Sequence, residues 1–138
     1  MDYLALLPHA PPMRLIEEVV ELVPGERAHC RRVADASDFY FDGHFPGNPV
    51  IPAVVLVELL AQAGGLAAGA PAPGARRTHE VLRVAALGPF KFPAAAGPGT
   101  RLEVFARIVG RLGGLYKIEG EVIGDGRLLA TGSVTLAG

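Results

Sequence analysis

A long apolar stretch in the middle of the chain predicts one buried helix. Between Ile51 and Gly74 the only charged residue is Glu58. Residues Ala53 to Ala68 are apolar on nearly every helical face, a pattern typical of a helix enclosed by protein. Pro52 fits the first turn of such a helix, where its missing N–H removes no hydrogen bond. A carboxylate in this helix must be paired, hydrogen-bonded or kept protonated, which makes Glu58 a candidate for chemistry.

Strand patterns flank the helix on both sides. The predicted strands are Met13–Val23, Glu26–Val33, Thr78–Phe92, Arg101–Val109, Leu115–Ile123 and Leu128–Leu136. Leu115–Ile123 alternates apolar and charged residues, as a strand does when one face meets water. Glycine-rich turns at 113–114 and 124–126 indicate hairpins. A helical turn at Tyr3–Leu7, a loop from Ala34 to Pro49 and a Pro/Gly linker over Ala70–Arg77 complete the chain.

The order of these elements predicts a single α+β domain, residues 1–138, with an antiparallel sheet around one long central helix. One sheet covers only part of a helix that is apolar on all sides. The remaining surface must meet something else, most simply a second copy of the chain. We therefore expect the protein to be at least a dimer.

Composition and charge exclude several classes of protein. The chain has 138 residues and a net charge of −1, so it lacks the overall positive charge of a nucleic-acid-binding protein. Its single cysteine, Cys30, forms no internal disulfide and fits a reducing cytoplasm. The N-terminus lacks the basic region of a signal peptide, and no apolar run is long enough for a membrane span. His9, His29 and His79 have no ligand spacing, so we expect neither a metal nor another cofactor.

The loop before the helix carries the second chemical candidate. His44 lies fourteen positions before Glu58, within DGHFPGNPVIPAVVLVELLAQ. This segment resembles the active-site motif of the 3-hydroxyacyl-acyl-carrier-protein dehydratases of fatty-acid synthesis, where a GHFPG loop precedes a helix with an acidic residue. The segments LLPHAPPMRLIEEVVE and LGPFKFPAAAGPGTRLEV are similar to two further parts of that family, so the resemblance covers nearly the whole chain. It implies a hot-dog fold, dimerised through one continuous sheet, with an acyl tunnel at the dimer interface.

The resemblance also implies a role for individual residues. His44 matches the catalytic histidine, and Glu58 matches the catalytic acid, which in this family faces the histidine of the partner subunit. A glutamate at this place is typical of the branch that only dehydrates, whereas the isomerising branch carries aspartate. Gln62 matches a polar residue one turn further on, and Phe45 is expected to line the tunnel or the core. Ala53 stands where the family has a glycine whose amide binds the thioester carbonyl.

The proposed chemistry explains these residue types. Dehydration of a 3-hydroxyacyl thioester removes a proton from C2 and a hydroxyl group from C3. A histidine is a base near neutral pH, and a glutamate in an apolar helix is expected to hold its proton because water is excluded. Backbone N–H groups at a helix start stabilise the developing enolate oxygen. The methyl group of Ala53 narrows the space beside the thioester, so it affects substrate fit more than the reaction.

The resemblance implies acyl-carrier protein as the partner, and a dimer or trimer of dimers as the assembly. Candidates for a basic rim that binds the acidic carrier are Arg31–Arg32, Arg76–Arg77, Arg83 and Lys91. Two alternatives within enzymes are a hot-dog thioesterase and a coenzyme A-dependent hydratase. Thioesterases of this fold do not need the GHFPG histidine. A third alternative is a non-catalytic acyl-binding subunit of a specialised lipid or polyketide pathway, against which the retention of His44 and Glu58 argues.

Overall fold

The structure, a computed structural model, describes residues 2–72, residue 74 and residues 81–138. The strands within these residues are β1 (Glu18–Val23), β2 (Arg27–Val33), β3 (Arg83–Lys91), β4 (Arg101–Leu112), β5 (Leu115–Gly124) and β6 (Arg127–Ala137). An α-helix, α1 (Ala53–Gly69), follows β2, and short 3-10 turns cover Tyr3–Leu6 and Phe39–Phe41. The elements therefore follow the predicted order.

The strands form one sheet in the order β1-β2-β4-β5-β6-β3, and every neighbouring pair is antiparallel. The β4–β5 hairpin closes at the pair Leu112–Leu115, and Gly113 in its turn has a φ of 58°, which glycine adopts easily. Helix α1 lies across one face of the sheet and contacts β1, β2, β4, β5 and β6. This geometry confirms the predicted α+β architecture, with a sheet wrapped around one long helix.

Helix α1 begins and ends where prolines interrupt it. Pro52 has an extended backbone and occupies the position just before Ala53, where the first turn starts. At the other end the N–H of Ala70 donates to Leu66 O over 2.9 Å, and a proline follows that cannot continue the helix. A Cβ added to Gly64 would lie 2.7 Å from Cγ2 of Ile118, so glycine lets the helix approach β5. No helix among the described residues is long and apolar enough to cross a membrane.

The largest differences between the predicted and the observed strands are at the starts of β1 and β3. The strand expected over Met13–Val23 begins only at Glu18, because the preceding backbone binds the side chain of Gln62 on α1 instead of a neighbouring strand. The strand expected over Thr78–Phe92 is observed as β3, and its residues 78–80 lie outside the described part of the chain. Much of the predicted linker Ala70–Arg77 also lies outside it.

One side of the first turn of α1 is left uncovered by its own chain. Val54 is 74% exposed and Ala53 is also exposed, whereas Leu59 and Ala63 are fully buried. The sheet presents one face to the helix, so a single chain buries Val55 and Leu56 in the first turn and leaves Ala53 and Val54 exposed. One sheet thus covers only part of the helix, as the sequence pattern predicts.

Candidate active site

Glu58 lies on α1 in the wall of a cavity of about 510 Å³. The other walls come from Pro8 and His9 of the N-terminal segment, from residues 81–84 and from Leu136 on β6. In this chain 26% of the Glu58 side chain is exposed, and Nε2 of His9 lies 3.7 Å from its Oε1. The carboxyl therefore opens onto a cavity. The apolar pattern predicts a carboxyl that the protein encloses, and within this chain it is not enclosed.

His44 is held in the loop before α1 by hydrogen bonds at both its backbone and its ring. Its N–H donates to Phe41 O over 3.1 Å, and its carbonyl accepts from Val50 N over 2.8 Å. The ring Nδ1 lies 3.0 Å from Val50 O, and the ring stacks on Phe45 with centroids 4.2 Å apart. Because a carbonyl oxygen only accepts, Nδ1 carries the proton, which leaves Nε2 as the basic nitrogen.

A network of polar side chains joins the loop that carries His44 to strand β2. Arg32 on β2 forms an ion pair with Asp38, with Nη2 and Oδ1 2.8 Å apart, and both side chains are nearly buried. The hydroxyl of Tyr40 donates to Oδ2 of the same carboxylate over 2.6 Å. Burial raises the pKa of Asp38, but the hydrogen bonds from Tyr40 and Arg32 outweigh burial and leave the pKa below its ordinary value. The network anchors the 3-10 turn that comes just before His44.

Gln62 is buried and its amide is engaged by the backbone of the N-terminal segment. Its Oε1 accepts from the N–H groups of Leu15 and Ile16, at 2.9 and 3.4 Å. Its Nε2 donates to Met13 O over 2.7 Å. Gln62 lines the same cavity as Glu58. The predicted substrate contact of Gln62 stays a prediction, and the observed role of its side chain is to hold residues 13–16 against α1.

Phe45 and Ala53 lie at the exposed edge of the loop and helix. The Phe45 side chain is 53% exposed in this chain, so it belongs to no core here. Ala53 is the first residue of α1. N–H groups in the first helical turn have no partner within the helix, so the amide of Ala53 is available to an oxygen outside it.

The structure separates the arginines that had been grouped as one basic rim. Arg32 is neutralised by Asp38 and nearly buried, so the expectation that it faces a partner is wrong. Arg31 binds Glu103, with Nε and Oε1 2.8 Å apart. Arg83 lies in the wall of the Glu58 cavity, and residues 76–77 lie outside the described part of the chain.

Among the described residues, those that line the cavity beside Glu58 do not include His44. Glu58 and Gln62 line the cavity described above, together with His9. His44 and Phe45 are not among the residues that line it. A site that uses both His44 and Glu58 therefore needs a further contribution to this cavity.

A family model described as the FabA-like domain matches residues 7–133. The chain belongs to this family. The match includes the loop of His44, the whole of α1 and most of the sheet. The family that the motif indicated is thereby confirmed.

Relatives within the family extend over nearly the whole chain. A protein of Nitratidesulfovibrio vulgaris (strain DP4), named 3-hydroxyacyl-acyl-carrier-protein dehydratase FabZ, is 35% identical over 134 residues, which are 97% of this chain and 86% of that protein. A protein of Chloroflexus aggregans with the same name is 48% identical over 67 residues, which are 49% of this chain and 46% of that protein.

Solved structures share the fold at low sequence identity. The dehydratase heterocomplex ApeI:P from Xenorhabdus doucetiae aligns with a TM-score of 0.79 at 18% identity, over 99% of this chain and 90% of that chain. A hypothetical thioesterase protein with coenzyme A from Streptococcus pneumoniae aligns with a TM-score of 0.63 at 11% identity, over 87% and 83%. These likenesses confirm the hot-dog fold. The same fold includes a dehydratase complex and a thioesterase, so it does not distinguish between them.

Sequence reasoning missed two features of the site. His9 was set aside because its spacing from other histidines suits no metal, yet it faces Glu58. The ion pair of Arg32 and Asp38 was also missed, because charge on a strand and charge in a loop carry no mark of pairing. The available signal for His9 was its place within LLPHAPPMRLIEEVVE, one of the segments that carry the resemblance.

Proposed function

We propose that the chain dehydrates 3-hydroxyacyl groups carried on acyl-carrier protein to trans-2-enoyl thioesters. The observation that carries this proposal is the 35% identity with a dehydratase of that name over 97% of the chain. The geometry of the histidine supports it, because Nδ1 is bound to Val50 O and Nε2 is left basic. The cytoplasmic location expected from the sequence belongs to the same proposal.

In this reaction His44 and Glu58 have complementary roles. Nε2 of His44 takes the proton from C2 of the substrate. The electron pair of the broken C2–H bond forms the new C2–C3 double bond. The carboxyl of Glu58 gives its proton to the hydroxyl on C3, which leaves as water. The amide of Ala53 at the start of α1 donates to the thioester carbonyl as negative charge develops on its oxygen.

We infer that the complete site is formed between two subunits. The cavity beside Glu58 lacks His44, and Val54 at the start of α1 is 74% exposed. Strand β3 is an edge of the sheet, and its Leu87 is 58% exposed. An apolar edge and an apolar helix start are surfaces that a second copy covers, with His44 of one subunit facing Glu58 of the other. A trimer of such dimers is the larger assembly that we propose.

The test uses the purified chain and 3-hydroxyacyl-acyl-carrier proteins with short, medium and long acyl groups. Mass spectrometry of the carrier is expected to show the loss of one water. Release of the free carrier thiol instead would indicate a thioesterase, and intact substrate at every chain length would contradict enzymatic function. The same assay with 3-hydroxyacyl-coenzyme A tests the carrier.

Mixed oligomers test the shared site. His44→Ala and Glu58→Gln are each expected to be inactive while the fold persists. In an equal mixture of the two variants, half of the dimers carry one intact site of two, so about a quarter of the wild-type activity returns. No recovery after confirmed subunit exchange would contradict a site shared between subunits.

A further inference from the structure

A histidine of the N-terminal segment, His9, lies beside Glu58, and it comes from neither the GHFPG loop nor the helix. Nε2 of His9 is 3.7 Å from Oε1 of Glu58, and the two side chains are 25% and 26% exposed. Both line the same cavity. We propose that His9 is a positioning residue for Glu58, which holds one oxygen of the carboxyl while the other faces the substrate. This inference rests on the dehydratase function proposed above.

The turn of α1 that follows Glu58 holds the N-terminal segment, and this contact places His9 beside Glu58. Gln62 lies four residues after Glu58, so the two side chains project from the same helical face. Gln62 binds the backbone of Met13 and Leu15 at 2.7 and 2.9 Å. The segment is tightened further by the hydrogen bond from the N–H of Arg14 to the carbonyl of Ala10, at 3.0 Å. The buried amide of Gln62 thus fixes the segment that carries His9.

The surroundings of the ring decide which nitrogen carries the proton. Nδ1 of His9 is buried and has no hydrogen-bond partner among the described residues. A buried N–H without an acceptor is costly, so the neutral ring carries its proton on Nε2. That N–H faces Oε1 of Glu58. The separation of 3.7 Å is longer than a hydrogen bond, and we expect it to shorten when substrate binds, as hydrogen bonds in active sites do.

This arrangement stabilises the product of the acid step. When Glu58 gives its proton to the leaving hydroxyl, negative charge appears on the carboxylate. The N–H of His9 donates to Oε1 and stabilises that charge, and His9 keeps its own proton throughout. An interaction that strengthens only as charge develops lowers the barrier to the chemical step and leaves substrate binding unchanged. The expected signature is therefore a loss of kcat with little change in KM.

A second pair provides a matched control elsewhere in the molecule. His29 also faces a glutamate, Glu103, and its side chain is 22% exposed. This pair lies across strands β2 and β4 and does not line the Glu58 cavity. His29→Ala therefore removes an imidazole that is about as buried as that of His9 and that also faces a glutamate. It leaves the residues of the Glu58 cavity unchanged.

The experiment measures kcat, KM and the thermal midpoint for His9→Ala, His9→Gln, His9→Asn and His29→Ala on one 3-hydroxyacyl-acyl-carrier protein. His9→Ala is expected to lower kcat about 10- to 50-fold with KM within about threefold. His9→Gln places an amide N–H where Nε2 was and is expected to recover kcat to within about fivefold of wild type. His9→Asn, whose amide matches the position of Nδ1, is expected to stay low, and His29→Ala to stay within about twofold of wild type.

Several results would overturn the role of His9. These are an unchanged kcat in His9→Ala, a loss confined to KM, or an equal loss in His9→Gln and His9→Asn. If His9→Ala does not fold, the Gln and Asn variants decide the question by themselves. An inactive wild-type protein overturns both the dehydratase function and this inference. An active wild type in which Glu58→Gln is inactive and His9→Gln equals His9→Asn overturns the inference alone.

Discussion

The described residues contain two histidine–glutamate pairs, one on the outside of the sheet and one in the cavity beside α1. In the first, Nε2 of His29 lies 2.6 Å from Oε2 of Glu103, and the ring stacks on Phe105 with centroids 4.2 Å apart. Arg31 donates to the same carboxylate from 2.8 Å. Burial raises the pKa of Glu103, but the hydrogen bonds from Arg31 and His29 outweigh it and lower the pKa below its ordinary value. This carboxylate is held charged by partners on several sides.

The second pair leaves its carboxyl largely free. Glu58 lies 3.7 Å from His9 and receives no hydrogen bond from the described residues. Its side chain is 26% exposed and opens onto the cavity, so a molecule bound there can reach the carboxyl. Glu103 and Asp38 thus stabilise the folded chain, whereas the carboxyl of Glu58 is open to the cavity, as its proposed role as the acid requires.

The largest effect is expected on kcat when the glutamate of each pair is changed to glutamine in a separate variant. Glu58→Gln removes the proton donor and should lower kcat by a factor of about 10² to 10⁴ with little change in the thermal midpoint. Glu103→Gln should keep kcat within about twofold and lower the free energy of unfolding by at most about 1 kcal/mol, because the pair is partly exposed. Kinetics and thermal unfolding of both variants check this. Near-normal turnover of Glu58→Gln would contradict the proposal that Glu58, unlike Glu103, takes part in catalysis.

A smaller effect, on the free energy of unfolding, is expected at Asp38, whose carboxylate also has partners on several sides. Asp38→Asn should lower the free energy of unfolding at pH 7 by roughly 1 to 3 kcal/mol, because Arg32 is left nearly buried without its partner. Folding lowers the pKa of Asp38 from its ordinary value of 3.8. Its stabilising contribution is therefore fully present above pH 3.8 and is lost as the pH falls through the lowered folded value.

Urea unfolding of wild type and Asp38→Asn between pH 7 and pH 3 checks this sign. The difference in unfolding free energy between the two proteins should be constant down to about pH 4 and shrink below it. Asp42→Asn, an exposed neighbour in the same loop, is the control and should change stability by about 0.5 kcal/mol or less at pH 7. A difference that grows as the pH falls would contradict the lowered pKa.

The smallest effect is expected at the start of α1, where a small change should alter activity more than stability. Ala53→Gly should preserve or raise kcat/KM and cost about 1 kcal/mol or less in stability. Ala53→Val should lower kcat/KM about fivefold, because a branched side chain crowds the thioester. Ala63→Val, on the buried face of the same helix, should instead lower stability by about 1 to 3 kcal/mol through overpacking.

Kinetics with short and long acyl groups, together with thermal unfolding, separate the two alanines. If Ala53→Val is tolerated without any loss of kcat/KM, Ala53 does not line the site. The thioester carbonyl would then bind elsewhere. Ala63→Val reports whether a valine is tolerated in the interior of this helix at all.

Much of the fold could be predicted because it follows from local pattern. Helix α1 was expected over Ala53–Ala68 and is observed over Ala53–Gly69, since a proline precedes an apolar run that only Glu58 and Gln62 interrupt. The β4–β5 hairpin was expected from a Gly-Gly turn between alternating strands and closes at that turn. The start of β1 was missed, because its preceding residues bind Gln62, which is more than 40 positions away in sequence.

The sequence by itself determined the family, the order of the elements and the two residues proposed for catalysis, His44 and Glu58. Helical periodicity, strand alternation and a contiguous motif all act over short distances along the chain, so they can be read from it. Only the tertiary structure decided which charges are neutralised and which are left open. His9 meets Glu58 because folding brings distant segments together, and Arg32 meets Asp38 because the loop after β2 places the carboxylate beside the strand. Spacing along the chain carries no trace of such contacts, since they depend on where the sheet places each segment against α1.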